Sequence, residues 1–280
     1  MIMALGLPIR HDHGMNTPTS YMVRARNLAP DSDNKIHDDE VARKFGFTGA
    51  LVPGVEVFAY ATQPFAAAWG EEFLSRGVME MRFRRPVYDG DDVTVEPKED
   101  AKQGEQGYDV TLVGPDGEVR ALGSAALADA AADVDLTRYV ETPMASPLPP
   151  ADEQSLAVGT HLGTVREPVT PDGHAAYLHG IGETLPLYQK FVHPGALLRM
   201  VNAVLFRNVA LGPWIHTGSS CRYLAPAPVP TTLTAHGTVT DRHERNGKFY
   251  VRFDALVLAG ERPVAEVDHV AIYDLGAADA

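Results

Sequence analysis

His37 is the side chain in this sequence whose type and setting best suit acid–base chemistry. It closes the loop Asp31-Ser32-Asp33-Asn34-Lys35-Ile36. Imidazole exchanges its proton near neutral pH, so a histidine here can hold and activate a water. Further on, Pro53-Gly54 opens a run from Val55 to Trp69 that is apolar on nearly every face. That pattern marks a helix enclosed by other structure rather than one lying on a surface. The first N–H groups of such a helix have no partner within it, and its positive dipole end can hold a developing oxyanion. Glycine at position 54 would let a substrate come close to the backbone. Taken alone, His37 is better read as a loop residue that caps a helix.

Other candidates carry less. His11 and His13 flank Asp12, but such clusters near a terminus are more often solvated than metal-bound, and no spaced His/Asp/Glu set suggests a metal. Arg82, Arg84 and Arg85 could meet phosphates, or stand exposed on the open face of an edge strand. Phe58 and Tyr60 could line a pocket or belong to the core. Cys221 would need a base and an electropositive setting to act as a nucleophile. No Gly-rich phosphate loop and no G-x-S-x-G elbow occurs.

The elements that must position these residues fall into two similar halves. Thr17-Pro18 reads as a helix start, with a helix expected over Tyr21–Leu28. Asp38, Asp39 and Glu40 place negative charge at the start of a short helix over Val41–Phe45. Pro64 is expected to kink the long helix. Met79, Met81 and Phe83 alternate with Glu80, Arg82 and Arg84, the period of a half-buried strand. Strands are expected at Val93–Val95, and at Tyr108–Val113 and Val119–Leu127 around the turn Gly114-Pro115-Asp116-Gly117. Prolines 143, 147, 149 and 150 mark a linker at about 135–155.

The same order then returns. Thr170-Pro171 opens a helix to about His179, a loop runs from Gly182 to Tyr188, and His193-Pro194-Gly195 precedes an apolar helix over Ala196–Phe206. Strands follow over Ser220–Leu224, Thr231–Thr240, Phe249–Leu258 and Val264–Tyr273, with Asn246-Gly247 as a hairpin turn. Pro53-Gly54 and Pro194-Gly195 stand 141 residues apart, and Phe83 and Tyr223 stand 140 apart. An internal duplication explains this agreement most economically. One helix apolar on all sides needs a curved sheet wrapped around it, and two such halves can join into one continuous sheet.

The bulk numbers set limits on partners. The chain has 280 residues, 45% hydrophobic and 22% charged, as a globular chain with a sizeable core would. A net charge of −13 repels nucleic-acid phosphates and anionic lipid surfaces, so neither nucleic acid nor membrane is expected as a partner. Cys221 is the sole cysteine, which excludes an internal disulfide and a thiolate metal cluster. The N-terminal residues lack the basic-then-apolar order of a signal peptide, and no apolar run approaches a membrane span, so the expected location is cytoplasmic.

The order Asn34-Lys35-Ile36-His37-Asp38-Asp39, then Gly46-Phe47, then Val52-Pro53-Gly54 and a buried helix resembles the MaoC-like hydratase/dehydratase family. Phe83-Arg84-Arg85-Pro86-Val87-Tyr88-Asp89-Gly90-Asp91 is also similar to that family. The resemblance implies an α+β fold of tandem hotdog domains forming a pseudo-dimer within one chain. The expected units are residues 1–140, with a catalytic loop at 31–39, and residues 155–280, with a degenerate loop at 182–188. It further implies hydration or dehydration of an acyl-thioester on coenzyme A or a carrier protein. Coenzyme A or phosphopantetheine would come as part of the substrate, with no separate cofactor and no metal.

By the same resemblance, His37 would be the general acid/base, Asn34 would position the loop or the substrate carbonyl, and the Gly54 N–H would face the enolate. Phe58 and Arg84 would contact substrate. The family's hydratases carry an aspartate five residues before the histidine, where this chain has Ser32. Asp31 could take that role through a one-residue shift, Ser32 could hold the water as a neutral partner, or hydration could be lost. In the second half Glu183, Leu185 and Tyr188 stand at the aspartate, asparagine and histidine positions. Tyr188 is a poor base at neutral pH, so that half is expected to be structural, with Glu183 paired to His179 or His193 as the other possibility. A thioesterase and a catalytically silent acyl-binding protein are the alternatives, and pseudo-dimers could associate further into a homodimer.

Overall fold

The computed structural model describes residues 16–100, 107–129 and 134–276, so His11, Asp12 and His13 lie outside the described residues. Among these residues, ten strands form one antiparallel sheet: β1 (Tyr21–Arg24), β2 (Gly77–Phe83), β3 (Asp92–Glu99), β4 (Gly107–Val113), β5 (Val119–Leu127), β6 (His161–Val169), β7 (Ile215–Tyr223), β8 (Thr231–Arg245), β9 (Lys248–Ala259) and β10 (Arg262–Asp274). The order across the sheet is β1-β3-β4-β5-β2-β7-β10-β9-β8-β6. It reads the same from either edge once each strand is matched to its repeat. The seam is β2 against β7, in register from Val78↔Arg222 to Arg82↔Gly218. Smaller features repeat too. Val52 N–H donates to Val87 O at 2.8 Å, and Val192 N–H to Ala227 O at 2.8 Å. This is the double hotdog expected.

Among the described residues, five α-helices accompany the sheet: α1 (Asp39–Lys44), α2 (Gly54–Trp69), α3 (Glu71–Arg76), α4 (Pro171–Ile181) and α5 (Pro194–Phe206). α2 is buried along its length, and Phe58, Ala61 and Phe65 are sealed from solvent. Burying a side chain such as Phe65 contributes about 1.5–3 kcal/mol. Phe65 anchors an aromatic cluster, with its ring 5.1 Å from Trp69, 5.9 Å from Tyr108 and 6.2 Å from Phe73. Pro64 sits inside α2, yet the helix is continuous from Gly54 to Trp69. α5 packs beside α2, so the two helices share one core inside the sheet.

Several local expectations need correction. Tyr21–Arg24 is a strand paired to β3, not a helix. Its inward residues are Tyr21 and Val23, its outward ones Met22 and Arg24, a period of two that the Thr17-Pro18 signal masked. β2 is a central strand rather than an edge, so Arg82 projects from the middle of the sheet's solvent face. α3 and β6 were not anticipated. The halves also diverge: α1 follows the loop in the first half, whereas α4 precedes it in the second. Thr170 caps α4 by accepting from Gly173 N–H, as its sequence implied.

Candidate active site

The loop is fixed before His37 is reached. Asn34 caps a single turn, Lys35–His37, while Ile36 is driven into a small core with Ala42 and Leu51. Asp38 caps α1 by accepting from the Glu40 and Val41 N–H groups at 3.0 Å. Asn27 Nδ2 donates to His37 O at 3.0 Å and ties the turn to the chain entering it.

The His37 imidazole is then oriented by one carbonyl. Its Nδ1 lies 2.7 Å from Leu51 O, an acceptor only, so Nδ1 carries the proton and Nε2 keeps its lone pair. Burial lowers the pKa of His37, against a contrary pull from Leu51, so the ring is neutral at pH 7 and Nε2 is a free base. Asn34 Nδ2 donates to Nε2 at 3.3 Å and to Trp214 O at 2.9 Å. Asn34 Oδ1 accepts from Trp214 N–H at 3.1 Å. This two-way clasp with the backbone of the other half fixes which end of the amide is which.

His37 and Asn34 line two cavities at once. The first, about 690 Å³, holds Gly54, Met81, Phe83, His216 and Ser219 and extends to exposed Arg82, Arg84, Arg85, Arg245 and Arg252. The second, about 640 Å³, is bounded by Leu28–Asn34, Glu56, Arg199, Asn202, Phe206 and Trp214. Arg82, Arg85 and Arg252 are paired with Glu80, Glu118 and Asp268. Arg84 and Arg245 have no acidic partner among the described residues. The first turn of α2 has no side-chain cap, and Gly54 faces the first cavity.

Asp31, Ser32, His37 and Asn34 therefore share the second cavity, but neither Asp31 nor Ser32 hydrogen-bonds to the imidazole. Ser32 Oγ donates to Asn34 O at 3.3 Å, a contact within the turn, and Asp31 is exposed. Phe58 is sealed in the core and lines neither cavity. Arg84 lines the first cavity by its exposed end.

Four residues there were not singled out from the sequence: Glu56, Arg199, Trp214 and His216. Glu56 is fully buried, and Arg199 of α5 donates to its Oε1 from Nε at 2.6 Å. Burial raises the Glu56 pKa while Arg199 pulls it back, and its Oε2 meets no partner among the described residues. Glu56 follows Gly54 by two positions inside an apolar run, a buried charge that was the one available signal.

The corresponding place in the second half is filled. Tyr188 is fully buried, and burial raises its phenol pKa well above the ordinary value. His193 caps α5 through Nδ1, which accepts from Gly195 N–H at 3.0 Å. Glu183 lies 3.6 Å from His193 Nε2, whereas His179 is exposed on α4. Tyr177 Oη stands where a side chain on Gly195 would begin, and neither cavity described above reaches this cluster. Cys221 is buried and burial raises its pKa, which leaves it a thiol. No group of three metal-ligating side chains stands together among the described residues.

No protein-family model matches the chain. No curated protein is similar to it in sequence. Similarity appears in solved structures. A protein described as a MaoC domain dehydratase from Chloroflexus aurantiacus J-10-fl superposes with a TM-score of 0.61 at 12% identity, over 92% of this chain and 95% of that one. A MaoC-like dehydratase gives 0.55 at 15% identity, over 92% and 98%. A Mycobacterium tuberculosis protein with a double hotdog fold gives 0.55 at 15% identity, over 92% and 96%. At these identities the likeness establishes the double hotdog fold, shared with MaoC-like dehydratases. No helix among the described residues is long and apolar enough to cross a membrane.

Proposed function

We propose that this protein adds water to, or removes it from, the α,β-bond of an acyl-thioester, with His37 as general acid/base. The observation that carries the reading is the position of His37, a neutral base at the junction of two cavities, the first of which it shares with the uncapped start of α2. A thioester whose carbonyl sits at Gly54 would extend its carrier arm through the first cavity and its acyl arm into the second. Arg84 and Arg245 offer charge to phosphates of that carrier arm. Water oxygen bonds to the β-carbon as Nε2 takes one water proton. The double-bond electrons move to the thioester oxygen, and the imidazolium returns its proton to the α-carbon. The reverse path expels water.

Asn34 positions the ring, and the α2 N–H groups hold the enolate oxygen. The carboxylates that share the second cavity with His37 include Asp31, Asp33 and Glu56, and only Glu56 is held rigidly. Asp31 acts only if its loop shifts toward the ring on binding; Ser32 serves the turn.

A second reading, a thioester-binding protein without turnover, draws on one observation. No carboxylate hydrogen-bonds to His37 among the described residues. Assay of 2-enoyl- and 3-hydroxyacyl-CoA panels separates the possibilities. Loss or gain of the enoyl absorbance without thiol release supports the hydro-lyase. Thiol release without an enoyl change identifies a thioesterase, and calorimetric binding without either identifies the silent protein.

A further inference from the structure

A chain of three buried side chains leads from the second half of the molecule to Gly54. His216 on β7 and His269 on β10 stack with ring centroids 4.2 Å apart. Ser219 Oγ joins them, 2.8 Å from His216 Nε2 and 2.9 Å from His269 Nδ1. Phe83 meets the His216 ring edge-on at 5.0 Å. A side chain on Gly54 would begin 2.8 Å from His216 Nδ1, so that nitrogen is aimed at the first turn of α2. It is buried and without a hydrogen-bond partner, a costly condition for a ring nitrogen at a cavity wall.

The chain of polar groups is present in one half only. Ser219 pairs with His269 across β7 and β10, whereas the matching pair across β2 and β5 is Met79 with Ala125. The fold is therefore satisfied by apolar residues at these two positions. The polar version stands in the half whose strand faces Gly54.

The geometry points to His216 as a second donor to the thioester oxygen beside the Gly54 N–H, with Ser219 and His269 as positioning residues that keep its proton on Nδ1. This inference rests on the acyl-thioester reading of the first cavity. The Ser219 hydroxyl has one proton to give, so the two rings are linked through it. If it donates to His216 Nε2, then His269 Nδ1–H donates to Ser219 and His216 presents N–H at Gly54. The opposite arrangement would leave His269 Nε2–H without an acceptor in the core. Each arrangement leaves one N–H without a partner, but in the first it is His216 Nδ1–H on the wall of the first cavity, where a ligand oxygen can accept it, which favours the first arrangement. Both rings are neutral, because burial lowers His269 well below the ordinary range and lowers His216 to about 3 against a weaker contrary pull from the Gly218 backbone.

The test is ring-nitrogen NMR of the full chain carrying isotope-labelled histidine, with butanoyl-CoA as the probe. Butanoyl-CoA has the thioester carbonyl but no double bond to hydrate. We expect His216 protonated at Nδ1, a shift of that proton on butanoyl-CoA binding, and loss of the Nδ1 preference in Ser219→Ala but not Ser219→Thr. His216→Leu should weaken butanoyl-CoA binding ~10-fold, and His216→Asn, whose amide N–H replaces Nδ1–H, should restore most of it. A bare Nδ1, an unshifted proton, or equal binding by the Leu and Asn variants would overturn the inference. If the shift is seen while 2-enoyl-CoA is not hydrated, the hydro-lyase reading fails and the carbonyl site stands. If butanoyl-CoA does not bind at all, both fall.

Discussion

Leu51 O decides what His37 can do, because it accepts the Nδ1–H hydrogen bond and leaves Nε2 unprotonated, facing the Asn34 amide. A base held neutral by burial works until the pH falls through its lowered pKa. The acid limb of kcat/KM is therefore expected below the ordinary imidazole value of about 6.5, with a flat rate from there to neutrality. A pH–rate profile checks this, and a limb centred above that value would contradict it. At this scale the sequence was readable where chemistry is local. His37 stood out by its residue type and Asn34 only through the resemblance, and the turn that brings them together is also tied by Asn27 and by the Trp214 backbone. The tautomer was not readable, because it is set by a carbonyl fourteen positions away. Glu56, Arg199 and His216 were missed for a related reason. Each is defined by what it meets from another element, and α2 hides Glu56 among Val and Phe.

The start of α2 is where element and site coincide. A methyl group on Gly54 would stand 2.8 Å from His216 Nδ1 and 2.9 Å from Phe83 Cε2. Both neighbours are packed rings, so Gly54→Ala is expected to cost about 1–3 kcal/mol, read as a lower urea midpoint, together with weaker thioester binding. A variant as stable and as tight-binding as the parent would show that this end of the helix is open. Farther along, Phe65→Ala removes the centre of the aromatic cluster, with an expected loss of about 3–5 kcal/mol by urea unfolding. The long helices and inner strands were legible because their burial is written as an unbroken or alternating apolar pattern. β1 was not, since four residues hold barely two periods and a Thr-Pro signal upstream suggested a helix. The place of β2 at the centre of the sheet was equally hidden, because strand order is a property of pairing and not of any one segment.

At the scale of the molecule, the two halves share one sheet and one core, but they have separate fates. The first keeps a cavity in front of its helix, whereas the second fills the same place with Tyr177, Tyr188 and His193. Asn34 with Trp214, and Glu56 with Arg199, fasten the halves across the site, so its shape depends on both. The burial of neutral histidines also sets a stability limit. His37, His174, His193, His216 and His269 all have lowered pKa values. The unfolded chain therefore binds protons that the folded chain refuses, and stability falls as pH drops below about 6.5. With His216 at about 3, that residue alone accounts for roughly 2 kcal/mol lost by pH 5. Urea midpoints at pH 7 and pH 5 measure this, and equal midpoints would show that these rings are not held neutral. The fold's repeat was visible in the 141-residue spacing of Pro-Gly pairs, but which half kept the cavity depends on side chains that meet only after folding. The most direct test of the central claim is hydration of a 2-enoyl-CoA panel by the parent chain and by His37→Ala, followed at the enoyl absorbance. The parent should consume the enoyl band, and His37→Ala, with an unchanged circular-dichroism spectrum, should be slower by about 10²–10⁴-fold. An equal rate in the two proteins, or no hydration by the parent, would contradict the assignment of His37 as the acid/base of a hydro-lyase.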